Sequence, residues 1–282
     1  MDIDQARTFL AIVAQGSFLE ASKRLHVTQS TVSARILGLE SELGVQLFIR
    51  NRGGASLTPE GRRFMPHAKN LVLTVEQAKH DVGLPNRYRA SLRVGGRIAL
   101  WDGFLSRWFG WMRQVMPDVA IRSEIGFEED LMRRLIEGTL DLGLMYTPTH
   151  APDLVVEQVF QEKLVLVSTV PDCQGPDDDY IYVDWGPGFY AKHVQSYPHI
   201  ECPPQVVNIG WLAIQLIMEN GGSCYLPARM AEPLIKQGKL YSVEGSPTYG
   251  HGVYAVYSRH TESRVLRSGL EGLRLFAERE NQ

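Results

Sequence analysis

Apolar positions near the start of the chain fall at helical spacing. Val32, Ile36, Leu39 and Leu43 stand four, three and four residues apart, one stripe of a 3.6-residue helix. Thr28 is a good N-cap, since its hydroxyl accepts from an unpaired amide of the first turn. Gly44 is placed to close the far end. Roughly opposite the stripe stand Ser30, Ala34 and Ser41, flanked by Thr31 and Ser33, with Gln29 at the leading end. A plain solvated helix would carry more Lys and Glu. Small hydroxyl and amide groups suit close approach to base edges and phosphates. Taken alone, the stretch reads equally well as an ordinary amphipathic surface helix.

Its neighbours shift that balance. Asp4 to Gln15 reads as a first helix with Ala6, Phe9, Leu10 and Val13 inward, ended by Gly16. Ser17 caps a second, burying Phe18, Ala21 and Leu25, and His26-Val27 turns tightly into the third. Two helices joined this way, the second capped and polar outside, form a helix-turn-helix. Val45 to Ile49 and Ala55 to Leu57 then read as short strands around Arg50-Asn51-Arg52-Gly53-Gly54. Such a tip is a wing whose Arg50 and Arg52 reach phosphates or a narrow minor groove, the alternative being a solvated loop. Thr58 caps the next helix with Pro59 at its first position. Phe64, Ala68, Leu71, Val75, Ala78 and Val82 give a heptad-like seam, which needs a partner helix or its own chain to cover it. Pro66 in the second turn is expected to kink this helix or to cost about 3 kcal/mol. Gly83-Leu84-Pro85-Asn86 ends it.

From Ser91 strands and helices alternate. Strands are expected at Leu92 to Gly95, Val119 to Ile125, Asp141 to Tyr146, Leu154 to Phe160, Leu164 to Thr169, Tyr180 to Trp185, Gln205 to Ile209, Ser223 to Leu226 and Val253 to Tyr257. Helices are expected at Leu100 to Met116, Glu128 to Glu137, Phe189 to Ser196, Trp211 to Asn220, Met230 to Lys236 and Ser263 to Arg279. The alternation implies mostly parallel, doubly wound α/β sheets, and the length suggests two lobes. Trp101, Phe104, Trp108, Trp111 and Val115 form an aromatic helical stripe, read as core or subunit interface rather than ligand wall.

The 282 residues are 44% hydrophobic and 22% charged, with net charge -3, so any nucleic-acid surface is local. Cys173, Cys202 and Cys224 lack CxxC spacing and are too few for a disulfide framework, which fits a reducing cytosol. No signal peptide and no transmembrane stretch is expected.

Phe9, Gly16-Ser17-Phe18, Ala21-Ser22-Lys23-Arg24-Leu25, Val27 to Ser33, Leu39-Glu40 to Leu43-Gly44, Leu47-Phe48-Ile49-Arg50 and Leu57-Thr58-Pro59-Glu60-Gly61 together resemble the N-terminal domain of LysR-type transcriptional regulators. The match runs in order over about sixty residues, with Thr31 where many members carry Ala or Pro. Leu135 to Leu144 and Gly221 to Pro227 resemble later family signatures. Gly96 to Trp101 with Trp108-Phe109 is similar to a subgroup that includes flagellar-gene regulators. The resemblance implies a winged helix-turn-helix over 1–58, a dimerising linker helix over 59–84 and a hinge over 85–91. It further implies an effector domain over 92–282, two-lobed like periplasmic solute-binding proteins. Crossings near Glu162-Lys163 and Arg259 to Arg264 would leave lobe 1 as 92–163 with 264–282 and lobe 2 as 164–263.

The implied function is a cytoplasmic, bacterial DNA-binding regulator, not an enzyme, working without a cofactor or bound metal. Thr28, Gln29, Ser30, Thr31, Ser33, Arg35, Arg50 and Arg52 would contact promoter DNA. Phe64, Ala68, Leu71, Val75 and Ala78 would pair two copies, with tetramers usual in the family. Other partners are a small-molecule effector and, for an activator, RNA polymerase. A ligand in open α/β sheets sits at the carboxyl ends of strands. Topology and family likeness put it at Arg97, Ile98, Ala99, Gly126, Phe127, Tyr146, Thr147, Trp185, Ile209, Gly210 and Gly221. Many relatives offer hydroxyls to an anionic effector after the first strand; Arg97-Ile98-Ala99 does not, which speaks against a small carboxylate ligand. Arg97 is then either an anion receptor or a surface charge.

Other constellations carry less. Gly186-Pro187-Gly188-Phe189-Tyr190-Ala191 fits a loose GxGxxA but lacks the acid after the next strand. His193, His199 and Cys202 have irregular, Pro-rich spacing and read as solvated loop residues rather than a metal site. Ser223 lacks the second glycine of a nucleophile elbow, and nothing supplies the cysteines with a low-pKa setting. No nucleophile, acid–base pair or metal cluster stands at a usable spacing for catalysis. A binding module that uses its N-terminal helices only for dimerisation is the competing class.

Overall fold

The computed structural model describes all residues except Arg52, Gly53, Asn86, Asp177, Glu201, Cys202, Pro204, 260–262 and 281–282. It leaves aside the side chains of Arg50, Asn51, Leu73, Glu76, Gln77, Lys79, His80, Asp81 and Arg279. The chain divides into two units, residues 1–85 and residues 86–282, the second without 137–139.

In the first unit, Asp2 and Gln5 form a reciprocal capping box at helix α1 (Ile3–Gln15), which ends at Gly16. Ser17 caps α2 (Phe18–Leu25), and α3 (Gln29–Leu43) starts at Thr28. Strands β1 (Phe48–Asn51) and β2 (Gly54–Leu57) pair antiparallel as the wing. Helix α4 (Pro59–Val82) runs through Pro66. Phe9 is the hub of the core, 5.1 Å from both Phe48 and Phe64, with Phe18 against Phe48. Val32, Ile36 and Leu39 are fully buried beneath α3, but Leu43, expected in the same stripe, is 38% exposed because the helix runs past the core.

Two local devices lock the wing. The Ala55 amide donates to the Gly16 carbonyl at 2.7 Å. A Cβ on Gly61 would lie 2.2 Å from the Leu47 carbonyl oxygen, so only glycine lets α4 start there. Thr58, 8% exposed, accepts from the Gly61 amide and donates to the Gln46 carbonyl.

The second unit is one mixed sheet in two halves. Strands β3 (Ala90–Gly96), β4 (Val119–Ile125) and β5 (Leu142–Met145) pair parallel in the first. Strands β7 (Tyr180–Val183), β8 (Val206–Val207) and β9 (Ser223–Pro227) do so in the second. Joining them are β6 (Leu154–Ser168) and β11 (Tyr249–Ser258), antiparallel to each other over the whole of β11. A short β10 (Tyr241–Ser242) pairs with β6.

The sequence led us to expect two strands where β6 is one of 15 residues. The second crossing was expected near Arg259 to Arg264 but lies within β11. Tyr254 to Tyr257 already pair with β5, because the strand shifts register between Val253 and Tyr254 rather than turning. Lobe 2 therefore ends before residue 263. The sheet is less parallel than the alternation suggested, since both crossing strands run antiparallel.

The expected helix Leu100 to Met116 is broken. A single turn α5 (Ile98–Leu100) leads into a distorted turn, Trp101–Leu105, where Gly103 takes a φ of 80°. Helix α6 (Ser106–Val115) follows. The aromatic stripe is core for the most part: Trp108 is fully buried and donates its ring N–H to the Gly269 carbonyl at 2.9 Å. Phe104 packs 4.5 Å from Phe160 of β6. Val115, expected in that stripe, is 53% exposed. The remaining helices are α7 (Glu128–Ile136), α8 (Pro187–Ser196), α9 (Gly210–Asn220), α10 (Ala228–Lys236) and α11 (Arg264–Glu280).

His193 was expected to be solvated and is instead fully buried on α8. It stacks on Tyr180 at 5.5 Å, with its Nε2 2.9 Å from the phenol oxygen. His199 is exposed, and Cys202 lies outside the described residues. Burial pulls His193 down to about 4, helped by the charge of His199. His251 falls to about 4 for the same first reason, with Arg97 and Lys192 adding to it. Both rings are therefore neutral in the fold, against an ordinary value near 6.5 in the unfolded chain. Between about pH 6.5 and 4 the unfolded state binds more protons. Stability is full above this window and declines through it as pH falls, by on the order of 3 kcal/mol per ring. Denaturation midpoints followed across that range should show the decline, and His193→Gln should make it shallower. An unchanged slope in the variant would clear His193 of the effect.

Candidate nucleic-acid interface and ligand cleft

The expected DNA-contacting face is assembled at the start of α3. The Thr28 hydroxyl accepts from the Thr31 amide at 3.2 Å and lies 2.8 Å from both the Ser30 and Thr31 hydroxyls. This ties three hydroxyls into one cluster and fixes the first turn. Gln29 and Ser30 are exposed, and Thr31 and Ser33 are half-buried. Arg52 lies outside the described residues, as does the side chain of Arg50. Arg35, expected to hold a phosphate, points into its own unit instead: it donates to Asp4 Oδ2 at 2.8 Å and to Thr8 Oγ1 at 3.4 Å. It fastens α3 to α1.

The dimer seam also needs correcting. Phe64 and Ala68 are buried in the core of their own unit, among Phe9, Phe48 and Ile12. Their surface is used before any partner arrives. Leu71 and Ala78 are exposed, Val75 half-buried and Val82 88% exposed.

In the second unit a cavity of about 170 Å³ opens between the two halves of the sheet, at strand ends. The first half supplies Arg97, Phe127, Glu128, Tyr146 and Thr147; the second supplies Asp184, Trp185, Gly186 and Asn208. Five of these were expected from the sequence: Arg97, Phe127, Tyr146, Thr147 and Trp185. Glu128, Asp184, Gly186 and Asn208 were missed, although each adjoins a residue that was named.

The other expected residues stand back from the cavity. Ala99 is buried and its carbonyl accepts from Arg229 at 2.9 Å. Ile98 and Gly126 do not reach the lining. Gly210 lies under Trp185, where a Cβ would come within 2.7 Å of the ring, and Ile209 caps α9 beside it. Gly221 closes the opposite end of α9, about 16 Å away at 1.5 Å per residue.

Arg97 is neither a free receptor nor a surface charge. It is 7% exposed. Its Nη1 lies 3.3 Å from Glu128 Oε2, its Nη2 donates to the Asn208 carbonyl at 3.1 Å, and its guanidinium lies 4.4 Å over the Phe127 ring. It links one half of the sheet to the other. Behind the cavity, Tyr146 donates to Glu162 at 2.8 Å. Glu162, 5% exposed, also accepts from Arg229 Nε at 3.1 Å. Burial raises the Glu162 carboxyl against the opposing pull of Arg229. Burial, together with the charge of Glu162, holds the Tyr146 phenol protonated far above its usual range. Periodicity marked Glu162 only as part of a crossing; Arg229 gave no signal.

Burial raises Cys224 and so disfavours its thiolate, and Cys173 donates to the Gly175 carbonyl. No group of three or more potential metal ligands occurs among the described residues, and none of the described helices is long and apolar enough to cross a membrane.

Two substitutions test these assignments. Glu162→Gln strands the Arg229 charge in the interior and should cost about 3 kcal/mol, read from urea denaturation; a cost near zero would mean the network is idle. Arg35→Ala should lower the stability of the first unit by about 1 kcal/mol while leaving the salt slope of DNA binding untouched, whereas loss of a phosphate contact lowers that slope by about 1.

Comparisons with known proteins agree with this geometry. Residues 3–62 match the profile described as a bacterial regulatory helix-turn-helix protein of the lysR family. Residues 85–174 match the LysR substrate binding domain. The HTH-type transcriptional regulator HdfR of Escherichia coli O45:K1 (strain S88 / ExPEC) is 29% identical over 269 residues, covering 94% of this chain and 95% of the relative. Among solved structures, ArgP from Mycobacterium tuberculosis superposes with a TM-score of 0.64 at 19% identity, over 98% of this chain and 97% of its own. A full-length OxyR from Pseudomonas aeruginosa gives 0.61 at 20% identity, over 98% of each. Full-length CbnR, solved with its target DNA, gives 0.52 at 20% identity, over 98% of this chain and 100% of its own. These neighbours share the fold, and the curated relatives are regulators rather than enzymes. With both halves of its architecture matched in order, the chain belongs to the LysR family of DNA-binding transcriptional regulators.

Proposed function

We propose that this regulator reads its promoter through Gln29, Ser30, Thr31 and Ser33, with Thr28 holding the turn and Arg50 and Arg52 on flanking phosphates. The exposed hydroxyl and amide face at the capped start of α3 carries the reading. Two copies pair along the outer part of α4, from Leu71 through Val75 and Ala78, and place two α3 helices in successive major grooves. A DNA complex of the structural neighbour CbnR supports this mode, as do full-length structures of other neighbours. Residues 1–58 form the reading unit, 59–84 the linker, and 92–282 the effector domain.

The cavity between the halves of the second unit takes a small effector. Its occupancy changes how the halves meet, and so the spacing or bend of bound DNA. The protein works in the cytoplasm as a dimer or tetramer, and contacts RNA polymerase where it activates. A dimerising module without DNA binding is disfavoured by the polar face of α3, and a sequence-specific, salt-dependent gel shift separates the two readings.

Selection of bound fragments from the source genome should enrich a few sites with imperfect two-fold symmetry, half-sites one helical turn or a multiple apart. Within such a site, Ser30→Ala or Gln29→Ala should relax preference at one base position by about tenfold. If these variants instead weaken every sequence alike, the base-reading role belongs elsewhere.

A further inference from the structure

We infer that the cavity between Arg97 and Asp184 takes a small amine rather than a carboxylate. The inference rests on the reading of that cavity as the effector site. Formally the lining holds one cation, Arg97, and two anions, Glu128 and Asp184. Arg97 is buried and already engaged with the Glu128 carboxylate, the Asn208 carbonyl and the Phe127 face. A carboxylate entering here has to compete with Glu128 for that guanidinium and to sit beside Asp184. The first penalty acts at a largely buried ion pair, where charges are poorly screened.

The aromatic donors of the wall are committed as well. Tyr146 gives its proton to Glu162, and the Trp185 ring N–H donates to the Tyr225 carbonyl at 2.9 Å. Acceptors remain. Asp184 receives one bond, from the Gly186 amide to Oδ1 at 2.9 Å, which leaves Oδ2 for a ligand. The Thr147 hydroxyl and the Asn208 side chain are exposed beside it. A ligand rich in donors and positively charged fits this inventory, and the Tyr146 and Trp185 rings, 5.8 Å apart, give it an aromatic backing. The volume lies below the roughly 300 Å³ at which sites for drug-sized molecules begin. The two halves also stand close: a Cβ on Gly186 would come 3.2 Å from the Thr147 methyl. The occupant is therefore a short chain.

Calorimetric titration of the full chain with 1,4-diaminobutane, and separately with succinate, compares the two charges on the same four-carbon frame. The diamine should bind, and more weakly as salt is raised, while succinate should give no saturable heat. Lysine, which adds a carboxylate, should bind more weakly than the diamine. Asp184→Asn keeps the acceptor for Gly186, so it should fold normally yet weaken the diamine about tenfold. Succinate binding tighter than the diamine, an unchanged diamine affinity in Asp184→Asn, or no binding of either probe overturns the amine assignment.

Thr147→Trp, which fills the cavity, separates that failure from failure of the site. Succinate bound by the parent but not by Thr147→Trp keeps the cavity as the effector site and refutes only the amine. Either probe binding Thr147→Trp as well as the parent removes the cavity itself.

Discussion

The pairing of β6 with β11 is the constraint on which the second unit depends. Every other strand of that sheet joins one half or the other, and only these two run through both. Where the strands cross, His251 stands opposite Glu162, so the ladder carries two buried polar side chains at its centre. Glu162 is satisfied by Tyr146 and Arg229, while His251 rests against the rings of Tyr146 and Trp185. Two side chains of the cavity wall, Tyr146 and Trp185, thus rest on the side chains of the crossing.

Arg97 and Arg229 divide the work on the two sides of this ladder. Arg97 ties the turn after β3 to the chain ahead of α9 through the Asn208 carbonyl. Arg229 ties α10 to the main chain of Ala99 and to β6. Both are neutralised by a glutamate within their own network, Glu128 and Glu162. Removing either acid leaves a largely buried charge without its counter-ion, a larger effect than losing the attraction of a surface pair.

Much of the first unit was legible in the sequence because its signals are local. Thr28, Ser17 and Asp2 cap helices by residue type and spacing, and the wing is marked by its glycines. The partners of Arg35, Asp4 and Thr8, lie a helix away, and spacing along α3 cannot show them. Phe64 and Ala68 are covered by their own unit, and a heptad stripe says which face is apolar, not whether the same chain already covers it. In the second unit, strand ends located the cavity, but its acids and amide fell one residue from the named positions. Periodicity finds the end of a strand without telling which side chain turns inward. The Tyr146–Glu162–Arg229 network had no signature, since it joins three segments far apart in sequence.

The joint at Gly61 has a mechanical consequence. With Thr58 bonded to Gln46 and the first turn of α4 pressed against Leu47, no slack separates the wing from the long helix. Twenty-four residues of α4 make a lever about 36 Å long. A tilt of about five degrees at its far end moves the near end by about 3 Å, roughly the length of one hydrogen bond. Small angular changes of α4 are thereby passed on to the wing instead of being absorbed at the joint.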